Sequence, residues 1–244
     1  MVDMPLPRED DENRAILWDN LWEPGREAAM RRDRNFLATI SALFLGLIMA
    51  TDLPLADAAP TSAEQAAYTR TITERADKIV ARLGIDEASK ATRVRDLIVD
   101  QYRSLHNIHA ARDAKIAEAA GTPGDAGLAE AWRSVARKDA DLKIFPLHRR
   151  FVARLEAELT PEQVNQVKDG MTDGVVLHTV KRYRELLPNL TTEQQADILA
   201  NLLEAREYAM DTGSSDEMTA CFNKCKGRIN SNLSAAGYEK KQLE

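Results

Sequence analysis

The chain has 244 residues, of which 44% are hydrophobic, and its 33 Lys and Arg residues against 39 Asp and Glu give a formal charge of −6. This composition excludes a disordered chain, and the pI near 5.4 argues against a nucleic-acid binder. Aromatic residues make up only 5%, with 11 Gly and 9 Pro, which disfavours an all-β sandwich of short aromatic strands.

A mainly apolar run at residues 36–50 is the most informative segment near the start of the chain. It is shorter than the roughly 20 residues that a membrane-spanning helix needs. Three arginines stand just before it, and the small residues Ala-Asp-Ala end at Ala58 after it. A basic start, a short apolar core and an A-x-A end predict a signal peptide over residues 30–58. We therefore expect cleavage near Ala58, a periplasmic or secreted protein, and no stable membrane insertion after cleavage. A retained N-terminal anchor is the alternative.

Residues 1–29 precede this predicted signal peptide, which normally stands at the start of a chain. Met30 lies directly before the basic region, so we expect translation to begin there and residues 1–29 to be a mis-assigned upstream start or a disordered segment. The remaining domain, 59–244, carries 27 basic and 28 acidic side chains. Such a near-neutral domain offers no electrostatic reason to bind nucleic acid or an anionic membrane.

Apolar residues recur at helical spacing through almost all of the domain. The first stripe stops at Gly84, Asp86 opens the next helix, and residues 121–127 are rich in helix-breaking Gly and Pro. Helical spacing resumes at about Leu128, and no stretch alternates with period two. We predict one all-α, bundle-like domain over residues 59–244.

Two segments repeat a helix-start signal. Residues 159–163 read Leu-Thr-Pro-Glu-Gln and residues 190–194 read Leu-Thr-Thr-Glu-Gln. Thr at the N-cap with Gln three residues later predicts a capping box in each. The same pattern resembles the LTxxQ motif of the Spy-like periplasmic chaperones.

Polar side chains concentrate in three places where a helical pattern would allow apolar ones. In the second helix, the spacing places Tyr102, His106, His109 and Asp113 on one face, beside Arg112. That face suits a sugar; two imidazoles without a third strong ligand do not favour a metal, and local hydrogen bonding is the plain alternative.

The second place surrounds Gly170 and Gly174, two glycines that lower the stability of a helix. They indicate a backbone break, a close helix crossing, a ligand near the main chain, or a plain turn. The third is residues 204–215, where a helix ends near Gly213 and Ser214 with Glu217 caps the next.

We expect these places to meet in one ligand-binding cleft, because burying so many polar groups is costly unless they are paired. The alternative is an internal network of ion pairs that holds helices in register. The predicted ligand-binding residues are His106, His109, Arg112, Asp113, Lys168, Asp169, Arg206, Asp211, Ser214, Ser215, Lys226 and Arg228.

Other chemistry is less specified. No nucleophile elbow, phosphate loop, dinucleotide fingerprint or zinc-protease helix occurs, so we expect no cofactor and no metal. An acid/base pair could come from Asp113, Asp169, Asp211 or Glu207. Cys221 and Cys225, four apart on the last helix, allow a strained disulfide, pairing with another molecule, or two thiols. The apolar stripe that includes Cys225 favours burial.

Several runs between residues 65 and 238 together resemble domain-of-unknown-function family 3826: residues 159–172, 188–191, 204–211 and 226–230, with His109 and Arg112-Asp113. The resemblance implies an exported bacterial protein associated with sugar binding. The chain departs from the family pattern at Thr219, Cys221 and Cys225, where aromatic or His side chains are expected. We therefore expect carbohydrate-associated binding in polysaccharide utilisation. The alternatives are a carboxylate-dependent glycan-active enzyme and an LTxxQ-like periplasmic chaperone.

Overall fold

The computed structural model describes residues 62–121 and 126–238; the segments at 1–29 and 30–58 lie outside these ranges. The described residues form a single domain of seven α-helices without a β-strand, which confirms the predicted all-α class. The helices are α1 Ser62–Val80, α2 Ala88–Gly121, α3 Ala126–Glu158, α4 Pro161–Met171, α5 Val175–Leu186, α6 Thr192–Ala209 and α7 Ser215–Ala235.

The first hydrophobic core lies among α1, α2, α3 and α4. The stripe of α1 is buried there, and the chain then reverses at Gly84, whose positive φ of +62° suits a residue without Cβ. Helix α2 begins at Ala88, two residues after the predicted start. Helices α2 and α3 pack along each other, and Phe151 and Leu155 of α3 are buried in this core.

Helix α3 continues through Pro146, which lacks the N–H for an intrahelical hydrogen bond. Pro146 is exposed, and so is Leu142, the residue four positions earlier whose carbonyl loses that donor. Because water can reach this face, the missing bond is tolerated and the helix does not end there.

A second hydrophobic core is built by α5, α6 and α7. The predicted stripe of α7 is buried in it through Phe222, Cys225, Ile229 and Leu233. Both cysteines are free thiols: Cys221 Sγ lies 3.5 Å from the carbonyl of Ala205 and Cys225 Sγ lies 3.1 Å from that of Asn201. Burial raises the pKa of Cys221 to about 12 and that of Cys225 to about 11, so both stay protonated.

Local signals set the helix ends. Thr160 accepts a hydrogen bond from the backbone N–H of Gln163, and Gln163 accepts one from the backbone N–H of Thr160, a full capping box. Thr191 and Gln194 form the same box at α6. Ser214 caps α7 by accepting from the backbone N–H of Glu217. All three predicted caps are present.

The two glycines of the α4–α5 region have different roles. Gly170 lies at a close crossing of α4 with α1, where a Cβ would come within 2.8 Å of Ile79 Cγ1. Gly174 is the N-cap of α5 with φ +68°, directly after Asp173 with φ +53°. The segment is therefore a close crossing followed by a left-handed turn.

No helix in the described ranges has both the length and the apolarity for crossing a membrane.

Candidate functional site

His148 is a titratable residue on the buried face of α3. It follows Ile144 by one turn and precedes Phe151 and Leu155, so helical spacing aims all four toward the interior. Only 9% of His148 is exposed. Our sequence interpretation missed it, although an imidazole on an apolar helical stripe is itself a signal for a partnered or functional residue.

His148 lies between two carboxylates. Its Nδ1–H donates to Asp211 Oδ2 at 2.6 Å, and its Nε2 lies 3.6 Å from Glu207 Oε2. Burial by itself would lower the pKa of His148, but the interactions with Asp211 and Glu207 outweigh it and raise the pKa to about 9. His148 is therefore an imidazolium at neutral pH.

Asp211 lies beneath His148 at the end of α6 and is 3% exposed. Gln101 Nε2 lies 3.5 Å from its Oδ1, and His109 Nε2–H donates to its backbone carbonyl at 2.8 Å. Burial raises the pKa of the Asp211 carboxyl, while His148 opposes that rise. The two groups compete for one proton, which we place on His148 because its ring also faces Glu207.

Glu207 joins His148 to α4. Its Oε2 accepts from Lys168 Nζ at 2.6 Å. Burial by itself would raise the pKa of Glu207, but the interactions with His148 and Lys168 outweigh it and lower the pKa to about 2. The Glu207 carboxylate and the His148 imidazolium thus keep their charges side by side across the neutral range.

Arg206 carries the network deeper. It is 4% exposed, and its guanidinium donates to Asp169 Oδ1 and to Asn165 Oδ1, both at 2.7 Å. Both acceptors belong to α4, whereas Arg206 belongs to α6. The two-pronged contact of the Arg206 guanidinium therefore fixes α6 relative to α4 below Glu207.

A cleft of about 500 Å³ opens beside this network, between α3, α4 and α6. That volume is in the range of small-molecule sites. The lining combines charged groups with the ring of Tyr208 and a small apolar wall. Its residues are His148, Arg149, Val152, Ala153, Glu156, Lys168, Glu204, Glu207 and Tyr208.

Of the twelve predicted ligand-binding residues, Lys168 lines this cleft. Asp169, Arg206 and Asp211 lie in the network beneath it. Arg228 does not line the cleft but pairs at 2.6 Å with Glu204, which does, and Lys226 is half-buried on α7.

The predicted face of α2 meets the α6–α7 turn instead. Arg112 bonds Asp113 and Glu217, both at 2.8 Å, and Gly213 packs so closely on His109 that a Cβ would come within 2.6 Å of its Cγ. Ser214 is the cap and Ser215 is exposed.

His106 is exposed and stacks on Tyr68 with ring centroids 4.3 Å apart. The three predicted segments are thus connected through residues 206–217, but the α2 residues do not line the cleft. Helix α3, which we had not singled out, supplies most of one wall.

The cleft presents both hydrogen-bond donors and hydrogen-bond acceptors. Among the described residues, no cluster of three or more His, Cys, Asp or Glu side chains is suited to hold a metal ion. What the cleft offers is hydrogen-bond donors, His148 Nε2–H and the Lys168 ammonium, immediately beside the acceptor oxygens of Glu207.

Comparison with known proteins gives one assignment. No curated protein matches the chain. One family model, described as a protein of unknown function (DUF3826), matches residues 69–244, which include all the helices of the site. The chain therefore belongs to the DUF3826 family.

Proposed function

We propose that this protein is an exported carbohydrate-binding protein that acts in polysaccharide utilisation, and that the cleft between α3, α4 and α6 receives the glycan. The observation that carries the proposal is the alternation of fixed donors and acceptors in one concave surface. His148 and Lys168 donate, Glu207 accepts, and the pairs His148–Asp211 and Lys168–Glu207 hold these groups in place.

A sugar matches such a surface chemically. Each hydroxyl both donates and accepts, so it can satisfy a cation and a carboxylate at once. The C–H faces of a sugar ring are apolar, and Tyr208 with Val152 and Ala153 offers apolar surface in the same cleft.

Binding is tested on the purified protein with a glycan array of plant and algal polysaccharides, followed by calorimetry on the hits. We expect Lys168→Gln to weaken binding about tenfold, because a charged donor to the ligand is lost. Lys181→Gln is the matched control, since Lys181 is 77% exposed on α5 and lies outside the cleft. No binding to any glycan, or equal losses in both variants, would contradict the proposal.

Export is tested separately. Mass spectrometry of the secreted and periplasmic fractions should find a mature N-terminus near Ala59 and no peptides from residues 1–29. A mature protein that retains Trp18 and Trp22 would overturn the proposed start and the proposed cleavage together.

A glycan-active enzyme is the second candidate, because Glu204 and Glu207 lie three residues apart on α6 and line the same cleft. Paired carboxylates are the machinery of glycoside hydrolysis. We rank it below binding, since an efficient acid or base has a pKa near the working pH. The pKa values of about 9 for His148 and about 2 for Glu207 lie far from neutrality. Release of reducing ends or unsaturated sugars from the glycans that bind would reverse this ranking.

A periplasmic chaperone is the third candidate, favoured by an exposed apolar stripe on α3. Its members share one face, and each is more than half exposed: Leu128 58%, Trp132 56%, Val135 56% and Leu142 77%. Such a stripe can hold unfolded chains. Suppression of client aggregation at substoichiometric amounts, lost in Trp132→Glu, would support this role; unchanged aggregation with the wild-type protein would exclude it.

A further inference from the structure

Resting on the proposed function, we propose that the cleft selects neutral sugars over uronic acids and amino sugars, with a ligand hydroxyl held against His148 and Glu207. The inference comes from the charge balance of the lining and from the ion pairs that His148, Lys168, Glu204 and Glu207 already make.

The lining contains equal numbers of cations and anions at neutral pH. The cations are His148, Arg149 and Lys168, and the anions are Glu156, Glu204 and Glu207. A ligand with net charge therefore gains no net attraction to the cleft, whereas a neutral ligand avoids the cost of bringing a charge out of water.

The individual pairs point the same way. Lys168 lies 2.6 Å from Glu207, His148 lies 2.6 Å from Asp211, and Glu204 lies 2.6 Å from Arg228. A uronate carboxylate near Lys168 would have to compete with Glu207 for the ammonium. An amino sugar near Glu207 would meet the charges of Lys168 and His148. Like charges placed together repel strongly in such sites, so both classes are disfavoured.

A hydroxyl group meets no such conflict. Nε2 of His148 and Oε2 of Glu207 are 3.6 Å apart, which is too long for a good hydrogen bond. Oε1 of Glu207 lies 3.5 Å from the Arg206 guanidinium, which is also a long contact. A ligand hydroxyl beside both residues can accept a hydrogen bond from His148 Nε2–H and donate one to the Glu207 carboxylate. Both groups then have a good hydrogen bond, and Lys168 keeps its contact with Glu207.

The experiment measures affinity by calorimetry on the purified protein with three classes of probe of equal length. The neutral probes are xylo-, manno- and galacto-oligosaccharides. The anionic probes are oligogalacturonides and alginate oligomers, and the cationic probes are chitosan oligomers. We expect the best neutral probe to bind at least about tenfold more tightly than any charged one, with little dependence on salt. A charged probe that binds as tightly as the best neutral probe overturns this inference and leaves glycan binding in place, whereas no binding by any probe overturns both.

Single substitutions test whether the charges of the lining cause the preference for neutral probes. Glu207→Gln keeps the shape of the side chain but removes one anion. It should weaken the binding of neutral probes and strengthen the binding of oligogalacturonides, so that the preference for neutral over anionic probes falls several-fold. Glu156→Gln, at an exposed position of the same cleft, should also narrow the preference for neutral over anionic probes. Glu185→Gln is the matched control on α5, outside the cleft, and should leave every affinity unchanged. An unchanged preference in both cleft variants overturns the inference.

Discussion

At the residue scale, the pairing of His148 with a buried carboxylate determines how the site responds to pH. Its folded pKa of about 9 lies above the 6.5 of a free imidazole. A raised pKa stabilises the fold fully below about pH 6.5, and this contribution is lost as the pH rises through 9.

His109 behaves in the opposite way. Burial lowers its pKa, so it stabilises the fold above about pH 6.5, and that contribution is lost in acid.

We therefore predict that the free energy of unfolding falls on both sides of about pH 6.5. The alkaline fall, between pH 6.5 and 9, should be of the order of 3 kcal/mol, since one pKa unit corresponds to about 1.4 kcal/mol. Urea unfolding measured across this pH range checks it.

His148→Gln separates the two effects. The variant should lose the alkaline fall and keep the acid one, because His109 is untouched. An alkaline fall of the same size in wild type and variant would show that His148 is not the titrating group.

At the element scale, the close crossing of α1 and α4 makes an unusual prediction for a helical glycine. Replacing Gly by Ala inside a helix ordinarily stabilises it by up to about 1 kcal/mol. In Gly170→Ala, the new methyl would lie 2.8 Å from Ile79 Cγ1, a branch atom that cannot swing away freely. We expect a net loss of about 1–3 kcal/mol in thermal or urea unfolding.

Gly227→Ala is the matched control. Gly227 lies inside α7, and the position that a new methyl would take is open space, so this variant should be stabilised by about 0.5–1 kcal/mol. Stabilisation of both variants would show that helix propensity, not the crossing, controls position 170.

The capping boxes give a second prediction at this scale. Thr191→Ala removes the side-chain acceptor of the Gln194 backbone N–H at the start of α6, the helix that carries Glu207. We expect a loss of about 1 kcal/mol in the free energy of unfolding. Thr191→Ser retains the hydroxyl and should recover most of that loss; a Ser variant as unstable as the Ala variant would argue against the cap.

At the scale of the whole molecule, the charged network connects two hydrophobic cores. Helices α1 to α4 enclose the first and α5 to α7 the second. Arg206 reaches across this junction, from α6 to Asp169 and Asn165 of α4. The residues beneath the cleft therefore also hold the two halves of the domain together.

We predict that Arg206→Lys lowers the free energy of unfolding by about 2 kcal/mol, because an ammonium cannot reproduce the two-pronged contact of a guanidinium. We also expect the two cores to unfold less cooperatively. Hydrogen exchange should then show earlier opening of α5–α7 amides than of α1–α4 amides, or the reverse. A wild-type exchange pattern with unchanged stability would refute the coupling role of Arg206. Lys181→Ala, at an exposed position of α5, is the control.

The features that could be predicted from the sequence are local ones. The all-α class, the capping boxes at Thr160 and Thr191, the Ser214 cap and the buried stripe of α7 all depend on residues within one or two helical turns of each other. Apolar periodicity and capping chemistry act over that distance, so they can be read without knowing how the helices pack. The polar segment ending α6 was identified for the same reason.

Which polar groups contact each other depends on how the helices pack. His148 and Asp211 are 63 positions apart, and Lys168 and Glu207 are 39 apart. Spacing along a helix gives the face on which each lies but not the helix that it faces. Helix α3 brought His148 to the carboxylates of Glu207 and Asp211. Packing of α2 on the α6–α7 turn directed His109 and Arg112 away from the cleft. Contacts between helices depend on crossing angles and side-chain packing along their whole lengths, and short sequence patterns do not encode these.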